Sequence, residues 1–233
     1  MNEQRALRPS RYSPKYSLIL RAKPLRDVFV VTHTESIHHV KKIGGGWFDT
    51  SLTDKGLADA KRIALSLFDN IETRGIPIFS SDLKRCSEMA EIFQEVFSST
   101  FKSDPRLREQ SCGVAGGKDK QWQHTHIKPV PDDGNRLDHR VFEGGESRRE
   151  VGERITRFVK EELADIDGSA IVITHGFALT FVIAAWLRIP VEHMDYCEFR
   201  SSPGGVTHLT EDQHFSNRTL LKLNDSSYIM GGS

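Results

Sequence analysis

The sequence predicts an α/β domain built around a largely parallel β-sheet, because three short apolar runs alternate with amphipathic segments. The runs cover residues 28–31, 76–79 and 170–173, and each ends abruptly in polar residues. Apolar runs of this length, rich in β-branched residues, are typical of buried strands. Since ligands of open α/β sheets bind beyond the carboxyl ends of the strands, we expect these polar residues to meet at one sheet edge.

The composition is that of an ordinary globular protein and excludes several broad functions. Lysine and arginine (32) balance aspartate and glutamate (32), which argues against a nucleic-acid or membrane-surface binder. No apolar stretch approaches the length of a membrane span. Three scattered cysteines, without a Cys-x-x-Cys pair, argue against a disulfide scaffold or a structural zinc site and fit a reducing, cytoplasmic location.

The 233 residues divide into a short extension and one domain. Residues 1–26 are basic and irregular, and their apolar stretch is too short for a secretory signal. We interpret them as an N-terminal extension, more plausibly a solvated tail than an arm for an anionic partner. Residues 27–233 are expected to form a single domain.

Helical periodicity places four helices between and after the strands. Thr53 is a suitable N-cap for the first, and Arg85 lies near the start of the second. The third spans about 148–164, and the very apolar fourth spans 177–187, before Pro190. Residues 205–210 and 218–223 predict two closing strands, whereas 37–52 and 104–147 are interpreted as loops.

Two histidines and an arginine follow the three apolar runs, and together they suit a phosphoryl group. A neutral histidine, here His33 or His175, can serve as a nucleophile that forms a covalent phospho-enzyme. Arg85 can bind phosphate bidentately. The leaving oxygen also needs a carboxylic acid that protonates it and later activates water, and Glu109, in a turn-rich segment, is the candidate.

An ordered set of motifs resembles the histidine phosphatase superfamily, in the branch that contains cofactor-dependent phosphoglycerate mutases and small-molecule phosphatases. The resemblance covers roughly residues 27–225. In chain order the motifs are residues 32–36 (THTES), 46–49 (GWFD), 52–56 (LTDKG), 80–85 (SSDLKR), 107–109 (LRE), 144–147 (GGES), 172–176 (VITHG) and 223–225 (LND). The resemblance implies a three-layer α/β/α sandwich of the phosphoglycerate mutase-like type, and no metal or other cofactor.

The resemblance also implies roles for individual residues. His33 becomes the phosphorylated nucleophile, Arg85 and His175 form the phosphate pocket, and Glu109 is the proton donor and later the base. The substrate-binding positions it implies are Thr32, His39, Gly45, Gly46, Lys120 and Gly176.

Two departures from the family pattern bear on activity. Thr32 replaces the arginine that precedes the nucleophile, and His39 replaces an asparagine. One charge-assisted contact of about 1.5–3 kcal/mol is missing, which corresponds to roughly ten- to a few hundredfold in rate if nothing compensates. His39, Lys41 and Lys42 are the candidates for restoring the positive charge.

Three functions follow from these patterns, and hydrolysis of a small phosphorylated substrate is the favoured one. A mutase is less favoured, because the arginine pair of related mutases is absent although Lys120 aligns with a substrate lysine. A weakly active or inactive phosphate-binding regulator is the third hypothesis, motivated by Thr32. Metal ligation by His38 and His39 is less favoured than a role as ordinary loop histidines.

Overall fold

Six strands form one mixed sheet in the computed structural model, which describes residues 26–230 except 72, 131, 133, 165, 167 and 213. The strands are β1 (Arg26–Thr32), β2 (Ile78–Ser80), β3 (Phe101–Ser103), β4 (Ala170–Thr174), β5 (Val206–Glu211) and β6 (Arg218–Asp225). Their order across the sheet is β3-β2-β4-β1-β5-β6. The first four run parallel, and β5 and β6 are antiparallel, so the sheet is largely parallel as predicted.

Helices cover both faces of this sheet and complete the predicted three layers. They are α1 (Ile37–Lys41), α2 (Asp54–Ile71), α3 (Lys84–Phe97), α4 (Lys120–His126), α5 (Arg148–Phe158), α6 (Gly176–Trp186) and α7 (Ser227–Met230). α2 and α3 pack on one face, whereas α5 and α6 pack on the other. Within the described part of the chain, none of these helices has both the length and the apolar character needed to cross a membrane.

Alternate residues of the central strands pack into two apolar cores, one on each face of the sheet. Val28 and Val30 of β1 pack with α5 and α6, whereas Phe29 and Val31 pack with α2 and α3. Successive side chains of a strand point to opposite faces, and here both faces are covered. This explains why the strands read as continuous apolar runs in the sequence.

The strand register brings the polar ends together. Thr32 of β1 pairs with Thr174 of β4, and the next residue, His33, donates its backbone N–H to Thr174 O at 2.9 Å. On the other side of β4, Ser81 N donates to Ile173 O at 3.0 Å. The expected convergence of three strand ends at one sheet edge is therefore observed.

The two segments interpreted as loops contain structure of their own. The five-residue helix α1 lies within 37–52, and α4 and the 3₁₀ turns Pro105–Leu107 and Gly113–Ala115 lie within 104–147. The helix predicted over 148–164 changes to a π-helical turn at Val159–Leu163, and β3 was not predicted. The predicted basic extension lies outside the described residues, apart from Arg26.

Candidate active site

A cleft of about 350 Å³ opens above the carboxyl ends of β1, β2 and β4. The residues that line it are Thr32, His33, His38, His39, Gly45, Gly46, Arg85, Glu109, Gln110, Cys112, Gly176, Phe177, Ser201, Ser202 and Pro203. Eight of the ten predicted site residues are among them. The other two are His175, which lies in contact with His33 beneath the cleft, and Lys120, which is exposed at the start of α4.

His33 is held with one ring nitrogen ready for chemistry. Its Nδ1 donates to the Thr34 carbonyl oxygen at 2.8 Å, so Nε2 of the neutral ring carries the lone pair. Burial, followed by the nearby Arg85 guanidinium, holds the pKa of His33 well below its usual range. The ring is therefore neutral near pH 7, as a nucleophile must be.

Arg85 contacts this nitrogen from the start of α3. Its Nε donates to His33 Nε2 at 3.2 Å, and Nη2 donates to Gly46 O at 2.7 Å. The side chain is 1% exposed, and burial lowers its pKa, although an arginine remains charged at any working pH. A fixed positive charge beside His33 Nε2 is suited to an incoming phosphate.

His175 ends β4 and is fully buried next to His33, with 5.1 Å between the ring centroids. Its Nε2 shares a 2.9 Å hydrogen bond with Ser81 Oγ. Burial, followed by the charge of Arg85, holds the pKa of His175 well below its usual range. His175 is therefore neutral near pH 7.

Glu109 reaches the cleft by capping α6, the helix that follows His175. Its Oε1 accepts from Ala178 N and its Oε2 from Phe177 N, both at 3.1 Å. The helix has no capping bond from its own N-cap side chain, so the carboxylate satisfies two of its free N–H groups. These bonds fix the carboxylate in the lining of the same cleft as His33.

Arg154 of α5 holds the backbone of the Glu109 segment. Its guanidinium donates to Arg106 O (2.6 Å), Arg108 O (2.7 Å) and Glu109 O (3.0 Å). The same group forms a two-point ion pair with Glu146, with both N···O distances at 2.9 Å. Sequence reasoning missed Arg154, because only the fold brings α5 against this segment.

Thr32 is enclosed by the segment that precedes β5. Its Oγ1 donates to Ser202 O at 2.7 Å and lies 3.0 Å from Ser201 Oγ. Of the three candidates for restoring positive charge, only His39 lines the cleft, whereas Lys41 and Lys42 are exposed outside it. Burial, followed by Arg85, lowers the pKa of His39, so this ring supplies no second fixed charge.

His38 and His39 lie beside His33 rather than in an ordinary loop. The His39 ring stacks on His33 with 5.3 Å between centroids, and the His38 centroid is 5.7 Å from that of His33. Burial, followed by His39, lowers the pKa of His38 to about 3. Both histidines belong to α1, a helix too short to be visible as sequence periodicity.

Close backbone approach explains the glycines of the cleft wall. Gly46 has a φ of +49°, and a Cβ there would lie 2.8 Å from Cys112 N. The carbonyl oxygen of Gly46 accepts a hydrogen bond from Arg85. The remaining lining residues, Gln110, Cys112 and Phe177 among them, were not predicted, because none carries a motif signal of its own.

Comparison with known proteins identifies one family. The family model of the histidine phosphatase superfamily (branch 1) matches residues 21–226. A curated relative, "Probable phosphoglycerate mutase GpmB" of Yersinia pestis, is 28% identical over 174 residues, covering 70% of this chain and 76% of the relative.

Solved structures share the fold at low sequence identity. YhfR of Bacillus stearothermophilus superposes with a TM-score of 0.70 at 24% identity, covering 88% of this chain and 99% of that one. A mycobacterial glucosyl-3-phosphoglycerate phosphatase gives a TM-score of 0.70 at 23% identity, covering 86% and 100%. The α-ribazole phosphatase of Shigella flexneri gives 0.69 at 20% identity, covering 85% and 96%. With the family model spanning most of the chain, the cleft and its fold identify the protein as a member of the histidine phosphatase superfamily.

Proposed function

We propose that the protein is a metal-independent phosphomonoester hydrolase that acts on a small phosphorylated metabolite through a phosphohistidine at His33. The observation that carries this proposal is the fixed tautomer of His33. Its Nδ1 is bound to Thr34 O, and its Nε2 lone pair lies 3.2 Å from Arg85 Nε, in a cleft suited to a phosphate. The nucleophilic nitrogen and an anion-binding group thus lie side by side in the cleft.

The reaction proceeds in two steps. His33 Nε2 attacks phosphorus and the ester P–O bond breaks, while the Glu109 carboxylic acid gives its proton to the leaving oxygen. Water then attacks the phosphohistidine and loses a proton to Glu109, which releases inorganic phosphate and restores His33. Arg85 stabilises the negative charge of the phosphoryl oxygens in both steps.

Hydrolysis is favoured over mutase activity, although one relative carries a mutase name. Lys120, the remaining match to a mutase substrate lysine, is exposed and is not part of the cleft lining. Two structural neighbours have names that describe phosphatases of sugar- or ribazole-type esters, which supports a small phosphorylated metabolite as substrate.

Catalysis is favoured over a regulatory role without turnover. His33, Arg85 and Glu109 all line the cleft, with His175 packed beneath it, although Thr32 replaces the usual arginine. We also infer a cytoplasmic location, because the three cysteines are free thiols, as is typical of a reducing compartment.

The test is phosphate release from a panel of phosphomonoesters, with and without chelator, by the wild type and by His33→Ala. We expect release that survives the chelator and is lost in the variant. His214→Ala, which changes an exposed histidine outside the cleft, is the matched control.

A phosphate label that is stable to alkali and labile to acid, present in wild type and absent in His33→Ala, is expected for the phosphohistidine. Equal release by wild type and His33→Ala would contradict the mechanism. Faster interconversion of phosphoglycerates than phosphate release would favour the mutase instead.

A further inference from the structure

Three imidazoles crowd one wall of the cleft, and two of them have no part in the proposed reaction. His33, His38 and His39 each place one ring nitrogen within 4.8 Å of the others. We propose that these three histidines bind a divalent transition-metal ion, of which Zn²⁺ is the representative, and that this ion blocks His33. The proposed hydrolase would thus need no metal ion and would be inhibited by one. The inhibition rests on the proposed function, whereas the metal binding does not.

The second ring nitrogens are already held as they are in many metal sites. His33 Nδ1 is bound to Thr34 O at 2.8 Å, and His38 Nδ1 lies 2.9 Å from Ser36 Oγ and 3.0 Å from Thr50 Oγ1. In metal sites, a ligating histidine usually bonds a carbonyl or another oxygen through its other nitrogen, which fixes the tautomer and ring orientation. In His33 and His38 this arrangement leaves Nε2 for the ion.

His39 is the ligand that must adjust. Its Nδ1 accepts from Ser36 N at 3.2 Å and lies 3.3 Å from Ser36 Oγ. A small rotation of this exposed ring lets Nδ1 donate to the hydroxyl instead, which frees the lone pair of Nε2. Nitrogen ligands of a tetrahedral zinc ion lie about 3.3 Å apart, so the rings have to close by roughly 1.5 Å at most.

The donor set selects the kind of ion. Imidazole nitrogens suit Zn²⁺, Cu²⁺ and Ni²⁺, whereas Mg²⁺ and Ca²⁺ require oxygen ligands. The open cleft leaves the fourth position of a tetrahedral ion for water. The charge of Arg85 opposes any cation, and the carboxylate of Glu109 in the same lining offsets it in part.

Metal binding and catalysis use the same atom. The ion has to displace Arg85 Nε from His33 Nε2, which is also the nitrogen that attacks phosphorus. A histidine coordinated through this nitrogen has no lone pair left for phosphorus. The metal-bound protein is therefore inactive, and removal of the ion restores the nucleophile.

The binding test uses calorimetry on untagged protein stripped of metal, titrated with ZnCl₂ and separately with MgCl₂. We expect one Zn²⁺ site per chain that is weakened roughly tenfold or more by His39→Asn and by His38→Asn. The exposed His214→Asn should bind as the wild type does, and MgCl₂ should give no binding. Circular dichroism of each variant establishes that it is folded. If His38→Asn unfolds, His39→Asn, at an exposed position, still tests the site.

Two calorimetric results would overturn the site: no Zn²⁺ binding by the wild type, or equal affinity in His39→Asn and the wild type. Inhibition is measured separately, as the Zn²⁺ concentration that halves each protein's own rate of phosphate release. That concentration should rise about tenfold in His39→Asn, and excess chelator should restore the wild-type rate. Binding at the cleft without loss of turnover would refute the inhibition. If no substrate is hydrolysed at all, the proposed function fails while calorimetry still decides the metal site.

Discussion

Thr32 is the residue at which the cleft departs most from the family pattern. Its side chain is 2% exposed and bonded to the Ser201–Ser202 segment, so a larger side chain has to displace these contacts. We expect Thr32→Arg to lower the free energy of unfolding by about 1–3 kcal/mol through overpacking. We also expect its kcat/KM to stay at or below that of the wild type. Urea denaturation and phosphate release measure the two effects.

Thr32→Val separates the loss of the hydroxyl from the cost of added volume. It leaves Ser202 O without its donor and should cost about 1–3 kcal/mol if that carbonyl stays buried. A Thr32→Arg variant that folds normally and gains about tenfold or more in kcat/KM would contradict our interpretation. Such a gain would show that Thr32 marks a lost catalytic contact. It would not fit a pocket whose other contacts have adapted to threonine.

Glu109 is predicted to matter most for poor leaving groups. In Glu109→Gln the amide oxygen still accepts one N–H of α6, so the fold should persist while the acidic proton is lost. We expect kcat/KM, which reports the first step, to fall by roughly 10²–10⁴-fold for an alkyl phosphate and much less for p-nitrophenyl phosphate, whose phenolate leaves without protonation. Equal losses for both substrates would exclude Glu109 as the proton donor.

At the scale of elements, α5 holds the Glu109 segment through one side chain. Arg154→Lys removes the planar group that binds three carbonyls and Glu146, and we expect a loss of about 2–3 kcal/mol in the free energy of unfolding. Because Glu109 loses its backbone support, kcat/KM for alkyl phosphates should fall more than kcat/KM for p-nitrophenyl phosphate.

The matched control is Arg157→Lys, the same substitution at an exposed position of the same helix. It should change neither stability nor the ratio of the two kcat/KM values. If Arg154→Lys lowers stability but leaves that ratio unchanged, Arg154 is a structural residue without a role in positioning Glu109.

Some elements were predictable from the sequence because both faces of the sheet are covered. The central strands are therefore continuous apolar runs, and the polar residues at their ends identified His33, Arg85 and His175. In contrast, α1 has only five residues and shows no period, so the cleft positions of His38 and His39 were not predictable. The contact of Ser202 with Thr32 depends on the antiparallel pairing of β5 with β1, which no local pattern encodes.

At the scale of the whole molecule, the cleft reduces stability at acid pH. Folding buries His33 and His175 as neutral rings, and burial, followed by Arg85, holds their pKa values well below 6.5. In the unfolded chain both rings take up a proton as pH falls through 6.5. The unfolded state then binds more protons than the folded state, so the free energy of unfolding decreases as pH falls.

We expect each of these two histidines, and likewise His38 with its pKa of about 3, to cost about 1 kcal/mol between pH 6.5 and 5.5, measured by urea denaturation at several pH values. His175→Gln, which removes one of the titrating groups, should lose correspondingly less stability over this interval than the wild type does. The exposed His214→Gln should follow the wild-type profile. A wild-type stability that is flat between these pH values would show that the folded cleft accommodates imidazolium, and would contradict the burial of His33 and His175 as neutral rings.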